Sequence, residues 1–258
     1  MQPASSLHPS APISPWLVFP EPNAEAETRL FCFPYAGAGP VVYRAWPESL
    51  PHTVEVVTVH YPGRESRFRE PLFETLQPLV DTLAGHILPT LDRPYAFFGH
   101  SMGALVAFEL TRKLRALGAR LPAHLFVSAR RAPHIPERLP PIHTLEDAAF
   151  TAAVQQRYNG IPPVILEDAE LLALFLPMLK ADFSVIETYR YTPEAPFDFP
   201  INTFVGLQDP GPNQQEMDGW QAHTTRPLGR YSFPGDHFYL QNQRSALLQA
   251  VSTSLNGK

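Results

Sequence analysis

The stretch "YAFFGHSMGALVAFEL", residues 95 to 110, constrains the fold more than any other. Tyr95, Ala96, Phe97 and Phe98 have strand character, whereas Ala104 to Leu110 is dense in helix-compatible apolar residues. Gly99-His100-Ser101-Met102-Gly103 lies between them and fits the pattern G-x-S-x-G. A strand that becomes a helix within five residues turns too tightly for side chains at the two outer positions. Such a turn strains the serine backbone and lifts its hydroxyl clear of the sheet. The plainer reading of Ser101 is a helix N-cap. Short patterns arise by chance, so the strand before and the helix after give this one its meaning.

Short apolar runs recur at 29–33, 54–59, 95–99, 124–128, 201–206 and 230–233. Nearly continuous hydrophobicity over such lengths is expected of strands covered on both faces. Helical spacing separates them, at 76–91, 101–117 (with Gly118 as its C′ residue) and 242–255. Alternating β and α segments predict an α/β fold with a mostly parallel central sheet flanked by helices. From about 144 to 190 only helical signals appear, which reads as a helical insertion, a lid, alternatively as ordinary core helices. Thr144 with Asp147 suggests a capping box. Pro177 should kink or split the second helix. Residues 1–28 form a Pro/Ser-rich N-terminal arm, and 29–258 the main domain.

Composition removes several classes of function. The formal charge of −5 lacks the basic excess of a nucleic-acid binder. No apolar stretch reaches the roughly 18–20 residues that span a bilayer. Cys32 is the single cysteine, so no disulfide forms within the chain, and a cytoplasmic location is expected. The histidines are scattered, with no metal-ligand spacing, and no metal is expected.

A serine alone is a weak nucleophile and needs a base and an orienting acid. Asp209 follows the run 201–206, and His237 follows 230–233, so both emerge at the carboxyl edge of the sheet with Ser101. The order Ser, acid, His is that of the nucleophile-elbow fold. Asp236 sits too close in sequence to orient His237, and Asp198 precedes its strand and belongs to the opposite edge. His100 is the nearest rival base in sequence, but its side chain should leave the strand end in a different direction from Ser101 and pack or make a support hydrogen bond. His86, His134 and His143 lack an acid that follows a strand. The loop "FPYAGAGPVVY" would supply an oxyanion donor from the N–H of Tyr35, or of Ala36, beside that of Met102. Its glycines read otherwise as a plain turn; a dinucleotide loop would need a third glycine and a helix opening.

Taken together, "FCFPYAGAG", "YPGRESRFREP", "FFGHSMGALVAFEL", "SARRAPHIP", "GLQDP" and "PGDHFYL" resemble the type II thioesterases of polyketide and nonribosomal peptide synthesis. The likeness runs in order from about Leu30 to Leu248. It implies an α/β-hydrolase fold with a helical lid. It also implies a discrete editing enzyme that hydrolyses acyl groups from the phosphopantetheine arm of acyl or peptidyl carrier proteins. A monomer is expected because such a fold needs no partner to complete its site. Ser101 would be the nucleophile, His237 the base, Asp209 the orienting acid, and Tyr35 and Met102 the amide donors. No cofactor is implied, because the pantetheine arm comes with the substrate. Asp236 directly before His237 departs from the pattern and bears on the pH optimum. Docking an acidic carrier on an acidic chain needs a local basic surface. Arg64, Arg67 and Arg69 in one loop, and Arg130, Arg131 and Arg138 in another, are the candidates, with solvated or internally paired arginines as the plain alternative. Two other readings remain: a medium-chain acyl-CoA thioesterase or small-ester hydrolase, and a non-catalytic member of the fold that binds acyl chains or a synthase.

Overall fold

A computed structural model describes residues 14–256. Seven strands form one sheet: β1 (Leu17–Val18), β2 (Thr28–Phe33), β3 (Val54–Val59), β4 (Tyr95–His100), β5 (Leu125–Ser128), β6 (Ile201–Gly206) and β7 (Gly229–Phe233). Their spatial order is β1-β3-β2-β4-β5-β6-β7, with every pairing parallel except β1 with β3. The order reverses between β2 and β4. The crevice at the carboxyl ends of those two strands is where open α/β sheets place ligands. The expected strands are therefore present with ends shifted by a residue or two.

Period-two alternation explains the two-sided core. Phe31, Phe33 and Phe97 point to one face, where they meet the helices α1 (Leu76–Ile87) and α2 (Met102–Ala116). Leu30, Cys32, Ala96 and Phe98 point to the other and meet the C-terminal helix. Helix α1 stops short of the expected Leu91 and tightens into a 3-10 turn over Leu88–Thr90 that contains Pro89. Gly118 closes α2 with φ 66°, the left-handed value its C′ position requires.

Of the N-terminal arm expected at 1–28, residues 1–13 lie outside the described residues. From Ser14 onward the chain is bound to the domain. Trp16 and Leu17 are buried, and β1 adds an antiparallel edge against β3.

Between β5 and β6 lie α3 (Asp147–Tyr158), α4 (Pro163–Leu166) and α5 (Ala169–Glu187). Their apolar faces form a separate cluster around Phe150, Val154, Leu176, Leu179 and Phe183. Neither the expected capping box nor a split at Pro177 is found here. Helix α3 begins at Asp147 with Glu146 as its N-cap and no side-chain capping bond, so Thr144 and Asp147 make no capping box. The Asp147 carboxylate instead pairs with Lys180 on α5 at 2.5 Å. Nor does Pro177 split the second stretch: α5 is continuous, held across the proline by the packing of Leu176 and Leu179. Its N-terminus is capped by Asp168, which accepts from the N–H groups of Glu170 and Leu171. Three short helices complete the fold: α6 (Gln214–Asp218), α7 (Tyr239–Asn242) and α8 (Arg244–Asn256), the expected C-terminal helix being broken at Gln243.

Candidate active site

Ser101 sits between β4 and α2 with φ 52° and ψ −113°, outside the regions open to most L-residues. Contacts of the flanking glycines enforce that turn. A Cβ on Gly99 would lie 2.3 Å from the Gly103 carbonyl oxygen, and one on Gly103 would lie 2.0 Å from that of Phe33. The bend is anchored by the Ser101 N–H, which donates to the Ser128 carbonyl on β5 at 2.8 Å. Ser101 occupies the N-cap position, yet its side chain makes no capping bond, so the hydroxyl is not used to cap α2.

Asp209 follows β6 and His237 follows β7. The His237 Nδ1 lies 2.9 Å from Oδ2 and 3.1 Å from Oδ1 of Asp209. The Asp209 side chain is inaccessible to solvent, and its Oδ1 also accepts the Gly211 N–H at 2.7 Å. Gly206 allows the two loops to approach: a Cβ there would come within 2.4 Å of the Asp236 carbonyl oxygen. Among the described residues the only hydrogen bonds of the His237 ring are those to Asp209, and the ring lines one cavity together with Ser101. Asp236 turns away, its carboxylate accepting the Phe238 N–H. His86 binds Ser14, His134 pairs with His223, and His143 pairs with Glu187, so each of these rings is engaged with a residue outside the Ser101, His237 and Asp209 set.

The loop after β2 passes over the elbow because Gly103 lets it approach. The N–H groups of Tyr35, Ala36 and Met102 donate to no acceptor among the described residues, whereas the Gly37 N–H is taken by Asp182 at 2.8 Å. Tyr35 and Ala36 line the Ser101 cavity, and Met102 opens α2, where the helix dipole is positive. Space around this point has two parts. An inner chamber of about 50 Å³ holds Ser101 and His237, and a wider groove of about 790 Å³ runs outward between the insertion and the glycine loop. Tyr35, Ala36, Gly160 and Phe238 border both. Leu171 and Leu174 of α5, exposed to solvent, roof the groove with Phe175 and Met178.

The family model "Thioesterase domain" matches residues 28–255. The chain belongs to that family. It is 42% identical over 245 residues to the linear gramicidin dehydrogenase LgrE of Brevibacillus parabrevis, covering 94% of this chain and 93% of that one. Among solved structures it resembles RedJ, a thioesterase from the prodiginine pathway of Streptomyces coelicolor. There the identity is 37%, the TM-score 0.85 and the coverage 96% of both chains. It also resembles BorB, a type II thioesterase from the borrelidin biosynthetic cluster, with 32% identity, a TM-score of 0.82 and coverage of 93% and 96%.

In this thioesterase most of the arginines expected to dock a carrier are spent internally. Arg64 is 5% exposed and donates through both terminal nitrogens to Asp182 of α5 at 2.8 Å, and to the Ala38 carbonyl. Arg67 is 6% exposed, pairs with Glu70 and lies over the Trp16 ring. Arg131 is buried against Glu137 and Glu216, and Arg138 pairs with Glu216. Buried guanidiniums cannot meet a partner's surface, so Arg64, Arg67 and Arg131 do not form a docking patch. Arg130 is also turned inward, beside Glu137 and into the inner chamber. Of the six, Arg69 alone is exposed with no ion pair among the described residues.

Asp182 and Tyr158, near the site, carried no reading of their own in the sequence. Asp182 ties α5 to the glycine loop, and the only sign of it was an acid in the middle of a largely apolar helix. Tyr158, at the end of α3, places its ring 5.1 Å from that of His237. His100 appears as a support rather than a rival base. Its Nδ1 is 2.8 Å from the Ser128 hydroxyl, which is 2.5 Å from the Tyr239 hydroxyl, and its ring lies edge-on to His237. Burial pushes its pKa well below the usual histidine value, and the facing His237 acts in the same direction.

Proposed function

We propose that this chain is a discrete editing thioesterase that releases acyl groups from the phosphopantetheine arm of synthase carrier proteins. The observation that carries the reading is the meeting of a strained serine and a carboxylate-paired imidazole in one chamber. Membership of the thioesterase family supports it, as does the likeness to RedJ and BorB. In this reading the pantetheine arm lies in the outer groove, and the thioester carbonyl enters the chamber.

His237 Nε2 takes the Ser101 hydroxyl proton as the oxygen attacks the carbonyl carbon. Asp209 holds Nδ1–H and stabilises the imidazolium. The tetrahedral oxyanion is met by amides of the glycine loop, Tyr35 or its neighbour Ala36, and of Met102. Collapse expels the pantetheine thiolate, which takes the proton from His237. Water, deprotonated by the same ring, then attacks the acyl-serine and releases the free acid and Ser101. Hydrogen bonds of this kind often tighten only once substrate is bound. The Ser101–His237 contact would then close in the acyl-carrier complex.

LgrE is named a dehydrogenase. Here the loop after β2 runs into a 3-10 turn at Pro40–Tyr43 rather than the α-helix that receives a dinucleotide pyrophosphate, which favours hydrolysis. Incubation with acylated carrier should yield free acid and an acyl adduct on Ser101 visible by mass spectrometry. Ser101→Ala should lower turnover by about 10⁴- to 10⁶-fold. Retained activity in that variant, or NAD(P)H-dependent turnover without acid release, would overturn the proposal.

A further inference from the structure

Arg130 stands apart from the other arginines around the site. It follows Ala129, whose φ of 51° turns the chain sharply at the end of β5, and its carbonyl is fixed by the Trp220 indole N–H at 2.7 Å. Its guanidinium lines the chamber that contains Ser101 and His237. The side chain is 13% exposed, and its contact is an ion pair with Glu137 at 3.1 Å, a carboxylate also claimed by Arg131. Its Nε is buried with no hydrogen-bond partner, so the Glu137 pair leaves that donor unmatched. Arg64, by contrast, donates four. Unsatisfied buried donors are uncommon in native proteins and call for a partner.

Tyr158 lines the same chamber, and its hydroxyl also lacks a partner among the described residues. Burial raises its pKa, so the phenol keeps its proton and can donate. The chamber wall therefore carries the Arg130 guanidinium, matched only by Glu137, and the Tyr158 hydroxyl in the cavity that Ser101 lines. A plain alkyl chain would add no acceptor to either.

We infer that Arg130, with Tyr158, forms a polar subsite that selects acyl groups bearing an acceptor oxygen beyond the thioester carbonyl, such as 3-oxo, 3-hydroxy or carboxylate groups. This rests on the acyl-thioester reading above and names the substrate class of that site. Glu137 balances the Arg130 charge, so neutral oxygens are served as well as anionic ones. Arg130 is a specificity residue, whereas the bond-breaking steps belong to Ser101 and His237.

The test compares kcat/KM for butyryl, 3-oxobutyryl, 3-hydroxybutyryl and malonyl groups. Each is presented on carrier protein and as an N-acetylcysteamine thioester, to the parent, Arg130→Met, Arg130→Lys and Tyr158→Phe. The parent should prefer at least one oxygenated group over butyryl by about tenfold or more. Arg130→Met should erase that preference while leaving butyryl turnover within about threefold. Arg130→Lys, which keeps the charge opposite Glu137, should retain part of it. An equal loss on every substrate, or an unchanged preference in Arg130→Met, overturns the subsite. Failure of the carrier reading looks different: the small thioesters are hydrolysed with the same selectivity and the carriers are not. A parent inert to every thioester defeats both proposals.

Discussion

The two walls of the site are held by different forces. The sheet-edge wall, with Ser101, His237 and Asp209, is fixed by backbone contacts so close that Gly99, Gly103 and Gly206 admit no other residue. The insertion wall, α3 to α5, packs on the domain through Val185 and Ile186 at the end of α5, and is tied down elsewhere by a few long-range polar contacts. Asp182 receives Arg64 and the Gly37 N–H, and Glu187 receives the N–H groups of Ile142 and His143. Steric exclusion acts over a few ångströms and leaves a local mark in the sequence. A buried ion pair between residues 64 and 182 leaves none. The first wall is rigid by construction, whereas the second stands or falls with individual side chains.

The largest effect should come from breaking the insertion wall at its strongest point. Asp182→Ala leaves the buried Arg64 charge unpaired and releases Gly37, and should cost about 3–5 kcal/mol in urea unfolding. The double variant Arg64→Met, Asp182→Leu should recover much of that loss, because burying the pair was itself costly. A loss below about 1 kcal/mol in the single variant, the range of exposed pairs, would mean that α5 is not clamped through this contact.

The same contrast explains what was legible beforehand. The strands and the elbow were readable because short apolar runs and paired glycines are dictated by neighbours in sequence. The positions of Asp209 and His237 followed from strand ends. The arginines were misjudged because composition shows a charge and not its partner. Arg64 and Arg131 look like any loop arginine until the fold brings Asp182 and Glu216 to them. Pro177 leaves α5 unsplit for a related reason, since the local cost of a proline in a helix is offset by packing that only the fold supplies.

On the sheet edge, Gly103→Ala should cost about 3 kcal/mol, the upper range for overpacking. Phe33 is pinned in β2 between β3 and β4, so neither side of the 2.0 Å contact can yield. Because the Tyr35 loop would shift, kcat for acid release should fall more than KM rises. A variant with parental stability and kinetics would show that the turn is softer than its contacts imply.

The return from the insertion to β6 offers a pH-dependent test of the polar wall. Tyr191 in that segment packs on His223, whose Nε2 lies 2.8 Å from His134 Nδ1, so one ring must donate and the other accept. Burial lowers the His223 pKa to about 4, with His134 and Arg112 adding to the shift. The folded pKa lies below the unfolded one, so the contribution is full above about pH 6.5 and is lost as pH falls toward 4. Between pH 7 and pH 5 the parent should lose about 2 kcal/mol from this group, and His223→Phe should not. Matching pH slopes in the two proteins would remove His223 from the account.

The smallest effect separates glycines that shape the site from one that does not. Gly85 lies in the interior of α1, and a Cβ built there meets nothing within 4 Å. Gly85→Ala therefore removes backbone freedom from the unfolded chain without a clash, and should stabilise the protein by about 0.5–1 kcal/mol. The chemical change is the one made at Gly103, and the sign is opposite. Activity should be unchanged, because Gly85 lines neither the chamber nor the groove. If Gly85→Ala destabilised as Gly103→Ala does, close backbone approach would not be what distinguishes the elbow, and the contrast between the two walls would lose its physical basis.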